Sequence, residues 1–229
     1  MDAPRLLVVQ LCDDDGPGRA ADWLRAAGLE LDVRRGDLTD PVPADLSQHA
    51  GLLVLGGHQA AYDPPETSPE LPPVTALLRI AVHDRVPALG ICLGGQLLAR
   101  ALGGQVRAGV DGPELGGHLV AKKDVAAQDP VFGGVPFTPD VIQWHYDEIA
   151  ALPVEAVLLA SSPLYPYQAF RVGSAPGACS STSRPRRTWS GRGRPRTAAG
   201  RHSGAWTSTA PWPRRWGRTT TSRPSGRRR

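Results

Sequence analysis

One cysteine lies between two glycines at a spacing that can support nucleophilic chemistry. Residues 90–94 read Gly-Ile-Cys-Leu-Gly. A residue at a tight turn between a strand and a helix has a strained backbone, and small neighbours keep that turn free of clashes. Such a turn would present the Cys92 thiol at the carboxyl edge of a sheet, where the following helix N-terminus favours the thiolate. The pattern predicts a nucleophile; the alternative is a small core cysteine beside a plain turn.

The flanking sequence predicts the strand and the helix that this turn requires. Residues 86–91 form a short apolar run, which is typical of a buried strand. Residues 93–102 carry leucines at helical spacing, and Gly103 with Gly104 ends the helix. The backbone amide of Leu93 would point to the same place as the thiol, where it can stabilise a developing oxyanion.

The rest of the chain predicts an α/β fold. Its opening alternates an apolar strand, a helix and a second strand, which favours a parallel sheet with right-handed crossovers. We expect a flavodoxin-like, doubly wound, mostly parallel sheet with helices on both faces and the site at the carboxyl ends of the strands. The predicted strands are residues 6–11, 30–34, 51–57, 117–121, 140–148, 156–161 and 167–173, and the further helices are 19–27 and 70–82.

Composition limits the class of protein. No run of 18 or more apolar residues is present, so we expect no membrane span, and a reducing cytoplasm is the expected compartment. The three cysteines are too widely spaced to indicate a disulfide framework or a zinc site. We therefore predict no metal, and we predict no cofactor because no phosphate-binding loop is present.

The last quarter of the chain differs from the rest. Of the 26 Lys and Arg residues, 14 are Arg in residues 174–229, a segment with no Lys, Asp or Glu. The segment also has no Leu, Ile, Val, Met or Phe, whereas it holds four of the six Trp. This composition predicts a disordered, low-complexity tail that cannot complete a sheet core.

The sequence Gly-Ile-Cys-Leu-Gly-Gly-Gln at 90–96 resembles the nucleophile turn of class I (triad-type) glutamine amidotransferases. The resemblance is strongest to stand-alone proteins similar to the glutaminase part of GMP synthase. It extends from about residue 6 to residue 173, and several motifs agree in order. It implies a domain over residues 1–173, incomplete at its C-terminus, with residues 174–229 as a separate tail.

The resemblance also implies roles for particular residues. Cys92 would attack the side-chain amide of glutamine and release ammonia through a thioester. The backbone amides of Gly57 and Leu93 would form the oxyanion hole, and Gly56 would shape the turn before Gly57. Gln96 would hold the substrate, with a solvated helix residue as the alternative. His145 would help to shape the glutamine site, although a structural histidine is equally compatible. His58 and Tyr62 border the expected pocket, and no role is assigned to them.

The family's triad histidine and glutamate are missing. A motif like Gln-Phe-His-Pro-Glu should follow residue 173, but the chain continues Ser-Ala-Pro-Gly-Ala-Cys. Back-translation of residues 177–184 with GC-rich codons, read from the third base, gives Gly-Val-Gln-Phe-His-Val-Glu. We therefore hypothesise a frameshift between Val172 and Ala178, and we expect the chain as written to be an impaired glutaminase whose ammonia acceptor and synthetase partner are unknown.

Two other functions remain open. A different cysteine hydrolase or peptidase could use the same turn, although Gln96 with the Gly56-Gly57 pair favours glutamine. The tail could alternatively bind polyanions such as nucleic acid, since it combines Arg with interleaved Trp. DNA binding that weakens steeply with salt would show the positive charge of the tail. The mixture of residue types in the tail is, however, also what an out-of-frame GC-rich gene produces.

Overall fold

The structure is a computed structural model that describes residues 2–36 and 40–173 and the backbone of 177–179. The predicted disorder of the tail and the predicted frameshift fall largely outside these residues and stay predictions. Among the described residues, no helix has both the length and the apolar character needed to cross a membrane.

Strands and helices alternate through the first half of the chain, and strands dominate the second half. The elements are β1 (Arg5–Val9), α1 (Gly18–Ala26), β2 (Glu30–Arg34), β3 (Gly51–Val54), α2 (Leu71–His83), β4 (Ala88–Ile91), α3 (Leu93–Ala101), β5 (Gln105–Ala108), β6 (Glu114–Leu119), β7 (Ala121–Lys122), a 3-10 helix (Asp124–Gln128), β8 (Asp140–His145), β9 (Asp147–Ala151), β10 (Ala156–Ser161), β11 (Ala169–Val172) and β12 (Gly177–Cys179).

The main sheet has eight strands in the order β2-β1-β3-β4-β12-β11-β10-β7. Its first five strands are parallel to one another, whereas β11, β10 and β7 pair in antiparallel fashion. Two small antiparallel sheets, β5 with β9 and β6 with β8, complete the described strands. The predicted α/β class with a mostly parallel sheet is confirmed, and β4 lies near the centre of that sheet.

Helices pack on both faces of the main sheet. On one face, α2 and α3 bury leucines such as Leu78 and Leu98 against Leu7 and Leu52. On the other face, Leu24 of α1 packs near Val8 and Leu53. This second face is less well covered, because Leu6, Leu31, Leu89 and Ile91 are only partly buried. The two layers hold β4 and α3, and therefore Cys92, in a fixed position.

The strand β12 was not expected. It lies in the segment that the sequence assigns to the tail, yet its backbone pairs in parallel with β4 and antiparallel with β11. The register places Cys179 beside Ile91, the residue that precedes Cys92. The chain therefore returns to the centre of the sheet after β11, next to the strand that leads to the cysteine.

Candidate active site

Cys92 lies at the turn between β4 and α3 in a backbone conformation that L-residues rarely adopt. Its φ is 54° and its ψ is −114°. At positions 90 and 94, which flank the cysteine, neighbouring backbone lies so close that only glycine fits. A Cβ on Gly94 would overlap the carbonyl oxygen of Val54, and a Cβ on Gly90 would lie 2.5 Å from the carbonyl carbon of Gly94. The glycine spacing seen in the sequence thus has a steric cause, since any side chain at either position would push the turn apart.

The turn also places Cys92 at the start of a helix. The amide of Gln96 donates to the carbonyl oxygen of Cys92 at 3.1 Å, which is the first hydrogen bond of α3. Cys92 is 8% exposed. A thiol at this position experiences the positive end of the helix dipole, which favours the thiolate over the neutral thiol.

The Gly56-Gly57 turn after β3 packs directly against this segment. A Cβ placed on Gly56 would lie 3.5 Å from Cys92 Cβ, and one placed on Gly57 would lie 2.8 Å from Leu93 Cδ2. The two residues predicted to supply oxyanion amides, Gly57 and Leu93, are therefore neighbours. The parallel pairing of β3 with β4 brings them together, because both loops leave the same edge of the sheet.

Gln96 is buried rather than solvated. It is 4% exposed, and its Nε2 donates to the backbone carbonyl of Asp147 at 3.3 Å. The same carbonyl accepts a second hydrogen bond from Nδ1 of His145 at 2.9 Å. Gln96 and His145, which the sequence assigns to the substrate site, are thus joined through one backbone oxygen.

Both ring nitrogens of His145 are occupied. Nδ1 must carry a proton to donate to the carbonyl of Asp147, while Nε2 lies 3.0 Å from Oε2 of Glu114. His145 and Glu114 are directly opposite each other on β8 and β6, and both are buried. The imidazole therefore has no free nitrogen with which to accept a proton from a thiol, and this arrangement suits a positioning role.

Glu114 is the centre of a buried polar network that the sequence did not reveal. Its carboxylate accepts hydrogen bonds from Ser162 Oγ at 2.7 Å and from Gln168 Nε2 at 2.6 Å, besides the contact with His145. Gln143 extends the network by donating to Gln168 Oε1 at 2.7 Å. No local pattern in the sequence indicates this network, because its members lie on β6 and β8 and in the loop between β10 and β11.

A tyrosine and a carboxylate form a second polar pair beside His145. Tyr62 Oη donates to Asp147 Oδ1 at 3.2 Å. Burial raises the pKa of the Asp147 carboxyl, and the nearby charge of Asp63 adds to this effect. Burial and the Asp147 charge likewise raise the pKa of Tyr62 to about 12, so that the phenol stays protonated and can donate.

The other described thiol has a different environment. Cys12 lies in the loop after β1, where burial, followed by the charges of Asp15 and Asp14, raises its pKa to about 12. At neutral pH this thiol is almost entirely protonated, which makes it a poor nucleophile. The difference in environment supports Cys92, and not Cys12, as the reactive cysteine.

Replacing Gly94 with Ala should destabilise the turn. The new Cβ would overlap the Val54 carbonyl oxygen, and overpacking of this kind costs about 1–3 kcal/mol. Gly117→Ala is the matched control, because a Cβ there meets nothing within 4 Å. Urea unfolding of both variants measures the difference. Equal unfolding free energies for the two variants would contradict the steric account.

Replacing Asp147 with Asn should stabilise the protein at neutral pH. The pKa of Asp147 is raised in the folded state, so the charged carboxylate destabilises the folded protein at pH 7. At about pH 3 the carboxyl is protonated in both the folded and the unfolded state, and this penalty disappears. The asparagine is neutral at both pH values, and its carbonyl can still accept from Tyr62. The gain in unfolding free energy should therefore be present at pH 7 and absent at about pH 3.

Asp140→Asn is the control for this pH dependence, since Asp140 is exposed at the start of β8. Its effect should stay within about 0.5 kcal/mol at both pH values. A gain for Asp147→Asn that is the same at pH 7 and pH 3 would show that buried charge is not its cause.

Solved structures with this architecture include amidotransferases. A glutamine amidotransferase from Thermotoga maritima has a TM-score of 0.73 and 27% identity, and the match covers 80% of this chain and 76% of that one. A glutamine amidotransferase from Methylobacillus flagellatus has a TM-score of 0.68 and 29% identity, over 79% of this chain and 70% of that one.

Curated relatives match shorter parts of this chain than the solved structures do. A GMP synthase from Thermomicrobium roseum is 38% identical over 119 residues, which is 52% of this chain and 20% of that protein. Gamma-glutamyl peptidase 4 from Arabidopsis thaliana is 33% identical over 134 residues, 58% of this chain and 52% of that protein. The chain thus spans at most about half the length of these two relatives. The model of the class-I glutamine amidotransferase family matches residues 19–172, and the chain belongs to this family.

Proposed function

We propose that the chain carries the glutamine site of a glutaminase and that its activity, as written, is impaired. The observation that carries the proposal is the strained turn at Cys92, packed against the Gly56-Gly57 turn. This arrangement combines a nucleophile, a helix N-terminus and two candidate amide donors at one sheet edge. Acyl transfer needs that combination.

In the proposed reaction, the Cys92 thiolate attacks the side-chain carbonyl carbon of glutamine. The amides of Gly57 and Leu93 stabilise the negative charge on the carbonyl oxygen in the tetrahedral intermediate. The C–N bond then breaks, the nitrogen takes a proton and leaves as ammonia, and a γ-glutamyl thioester remains on Cys92. Water hydrolyses the thioester to glutamate and regenerates the thiol.

The substrate side chain would lie between Gly56, Gln96 and His145. Gln96 and His145 both bind the Asp147 carbonyl, so they fix the backbone that would border the glutamine. His145 acts in this proposal as a positioning residue. Its contacts with Glu114 and Asp147 leave it unsuited to act as the general base.

The impairment follows from the sequence after residue 173. The written segment 174–229 has no Glu or Asp and a single His, at position 202. The shifted reading frame gives His and Glu at positions 181 and 183. In a chain with that frame, the histidine would come two residues after the end of β12. The adjacent strand is β4, and Cys92 comes one residue after the end of β4. This coincidence supports the frameshift hypothesis.

The test compares the written chain with a chain encoded in the shifted frame from the codons after Val172. Ammonia release from glutamine should be about 10²–10⁴-fold faster in the frame-restored chain, because a positioned general acid–base contributes that much. Cys92→Ala in the restored chain is the control and should abolish the gain. Equal glutamine turnover by the written and restored chains, both folded by circular dichroism, would refute the impairment.

A second candidate is hydrolysis of γ-glutamyl peptides. It is favoured by the similarity to two gamma-glutamyl peptidases of Arabidopsis thaliana, at 33% and 30% identity. The bond broken is the same γ-glutamyl amide, with an amino acid leaving in place of ammonia. Comparing kcat/KM of the restored chain for glutamine and for a γ-glutamyl dipeptide separates the two. We favour glutamine, and the GMP synthase relatives suggest that a synthetase would accept the ammonia.

A further inference from the structure

Three side chains of metal-ligand type converge outside the catalytic residues. The Cys12 thiol, an Asp14 carboxylate oxygen and a His58 ring nitrogen all lie within 4.8 Å of one another. Cys12 and Asp14 are in the loop after β1, and His58 follows the Gly56-Gly57 turn after β3. Since β1 and β3 are adjacent parallel strands, the sheet delivers both loops to one edge.

The spacing suits a small divalent ion. His58 Nε2 lies 3.4 Å from Asp14 Oδ1. Around tetrahedral zinc, with Zn–N and Zn–O bonds of about 2.0–2.1 Å, the edge between these two ligand atoms is roughly 3.4 Å. The thiol sulfur lies within 4.8 Å of both other ligand atoms, compared with about 3.6 Å between sulfur and nitrogen around tetrahedral zinc. The side chains of Asp14 and His58 are more than half exposed, so an ion can enter.

The ligand chemistry selects among cations. A thiolate with an imidazole and a carboxylate is a set that zinc uses, whereas magnesium and calcium prefer oxygen ligands alone. Asp15 adds a further negative charge near Cys12. The local surplus of negative charge would be offset by a divalent cation, which also stabilises a coordinating thiolate.

The loop that carries two of the ligands is braced by hydrogen bonds. Gln10 Nε2 donates to the carbonyl of Cys12 at 2.8 Å and to that of Asp13 at 3.1 Å. The amide of Asp15 donates to the carbonyl of Cys12 at 3.3 Å. These bonds fix the backbone around Cys12 and Asp14 before any ion binds, which lowers the entropy cost of binding.

We propose that Cys12, Asp14 and His58 bind zinc at the rim of the Cys92 site, with a fourth coordination position open to water or a ligand. Asp15, next to this cluster, lies against Gly56, and Gly56 lies against Cys92. A bound ion would therefore link the loops after β1 and β3 that border the catalytic turn. This site was not predicted from the sequence, from which we expected no metal, and it does not depend on the proposed glutaminase activity.

The first test is a titration of the full-length, metal-free chain with cobalt(II), which reports a thiolate ligand through its charge-transfer absorption. Zinc affinity is then measured by calorimetry. Cys12→Ser should remove the charge-transfer band, and Asp14→Asn and His58→Asn should each weaken zinc binding at least about tenfold. Losing even an outer partner of a metal ligand costs about 10–100-fold.

Matched controls are available close by. Asp13→Asn changes the neighbouring carboxylate, which pairs with Arg35, and His83→Asn changes an exposed histidine on α2. Both should bind zinc with unchanged affinity. Since all these side chains are at least partly exposed, the metal-free variants should unfold at the same temperature as the parent, while zinc should raise that temperature only where binding is retained.

The proposal is overturned by any of three results. The first is absence of zinc binding at micromolar concentrations. The second is equal affinity in the parent and in all three ligand variants. The third is a cobalt band that persists in Cys12→Ser and is lost in Cys92→Ser or Cys179→Ser, which would place the metal on another thiol. Because each readout is binding, none of these results bears on whether glutamine is hydrolysed.

Discussion

The backbone of Cys92 depends on two contacts that only glycine permits. Gly94 touches the Val54 carbonyl on the neighbouring strand, and Gly90 touches the first turn of α3. These contacts hold a non-glycine residue at a φ of 54°, a conformation that costs about 1–3 kcal/mol. The strain is offset by the packing of β4 and α3 within the main core. A rigid core is therefore what keeps the thiol at the helix N-terminus, and the chemistry of the site depends on it.

A second layer holds the other side of the site and is joined to the thiol turn through Gln96. Glu114 and His145 are opposite each other on β6 and β8, and His145 shares the Asp147 carbonyl with Gln96 of α3. A buried polar network favours one arrangement to the extent that its members are satisfied. Both carboxylate oxygens of Glu114 and both ring nitrogens of His145 are paired, whereas the buried Oε1 of Gln143 has no hydrogen-bond partner among the described residues. The fold thus fixes both walls of the proposed glutamine site.

Parts of the fold with strong local patterns could be predicted from the sequence, and parts that depend on pairing could not. The strands β2 and β10 have the predicted limits, because each is a clear apolar or alternating segment. The strand β5 was missed, since it is largely exposed and exists through its pairing with β9. The strand β12 was missed because the composition around it lacks aliphatic residues.

The candidate site likewise has parts that could be predicted from the sequence and parts that could not. The Cys92 turn follows from a local spacing of glycines, and the Gly56-Gly57 turn follows a recognisable strand. The Glu114–His145 contact depends on the register of two strands, which no local pattern reveals. The cluster of Cys12, Asp14 and His58 joins residues from two loops with no characteristic spacing, and only the parallel order of β1 and β3 brings them together.

The most direct measurement is the site of alkylation by a chloroketone analogue of glutamine on the full-length chain, mapped by peptide mass spectrometry with and without excess glutamine. If the turn presents Cys92 as a nucleophile beside a glutamine site, Cys92 should be modified, glutamine should protect it, and Cys12 should react little. Modification of Cys12 with Cys92 left unmodified, or labelling of Cys92 that glutamine does not slow, would contradict the account.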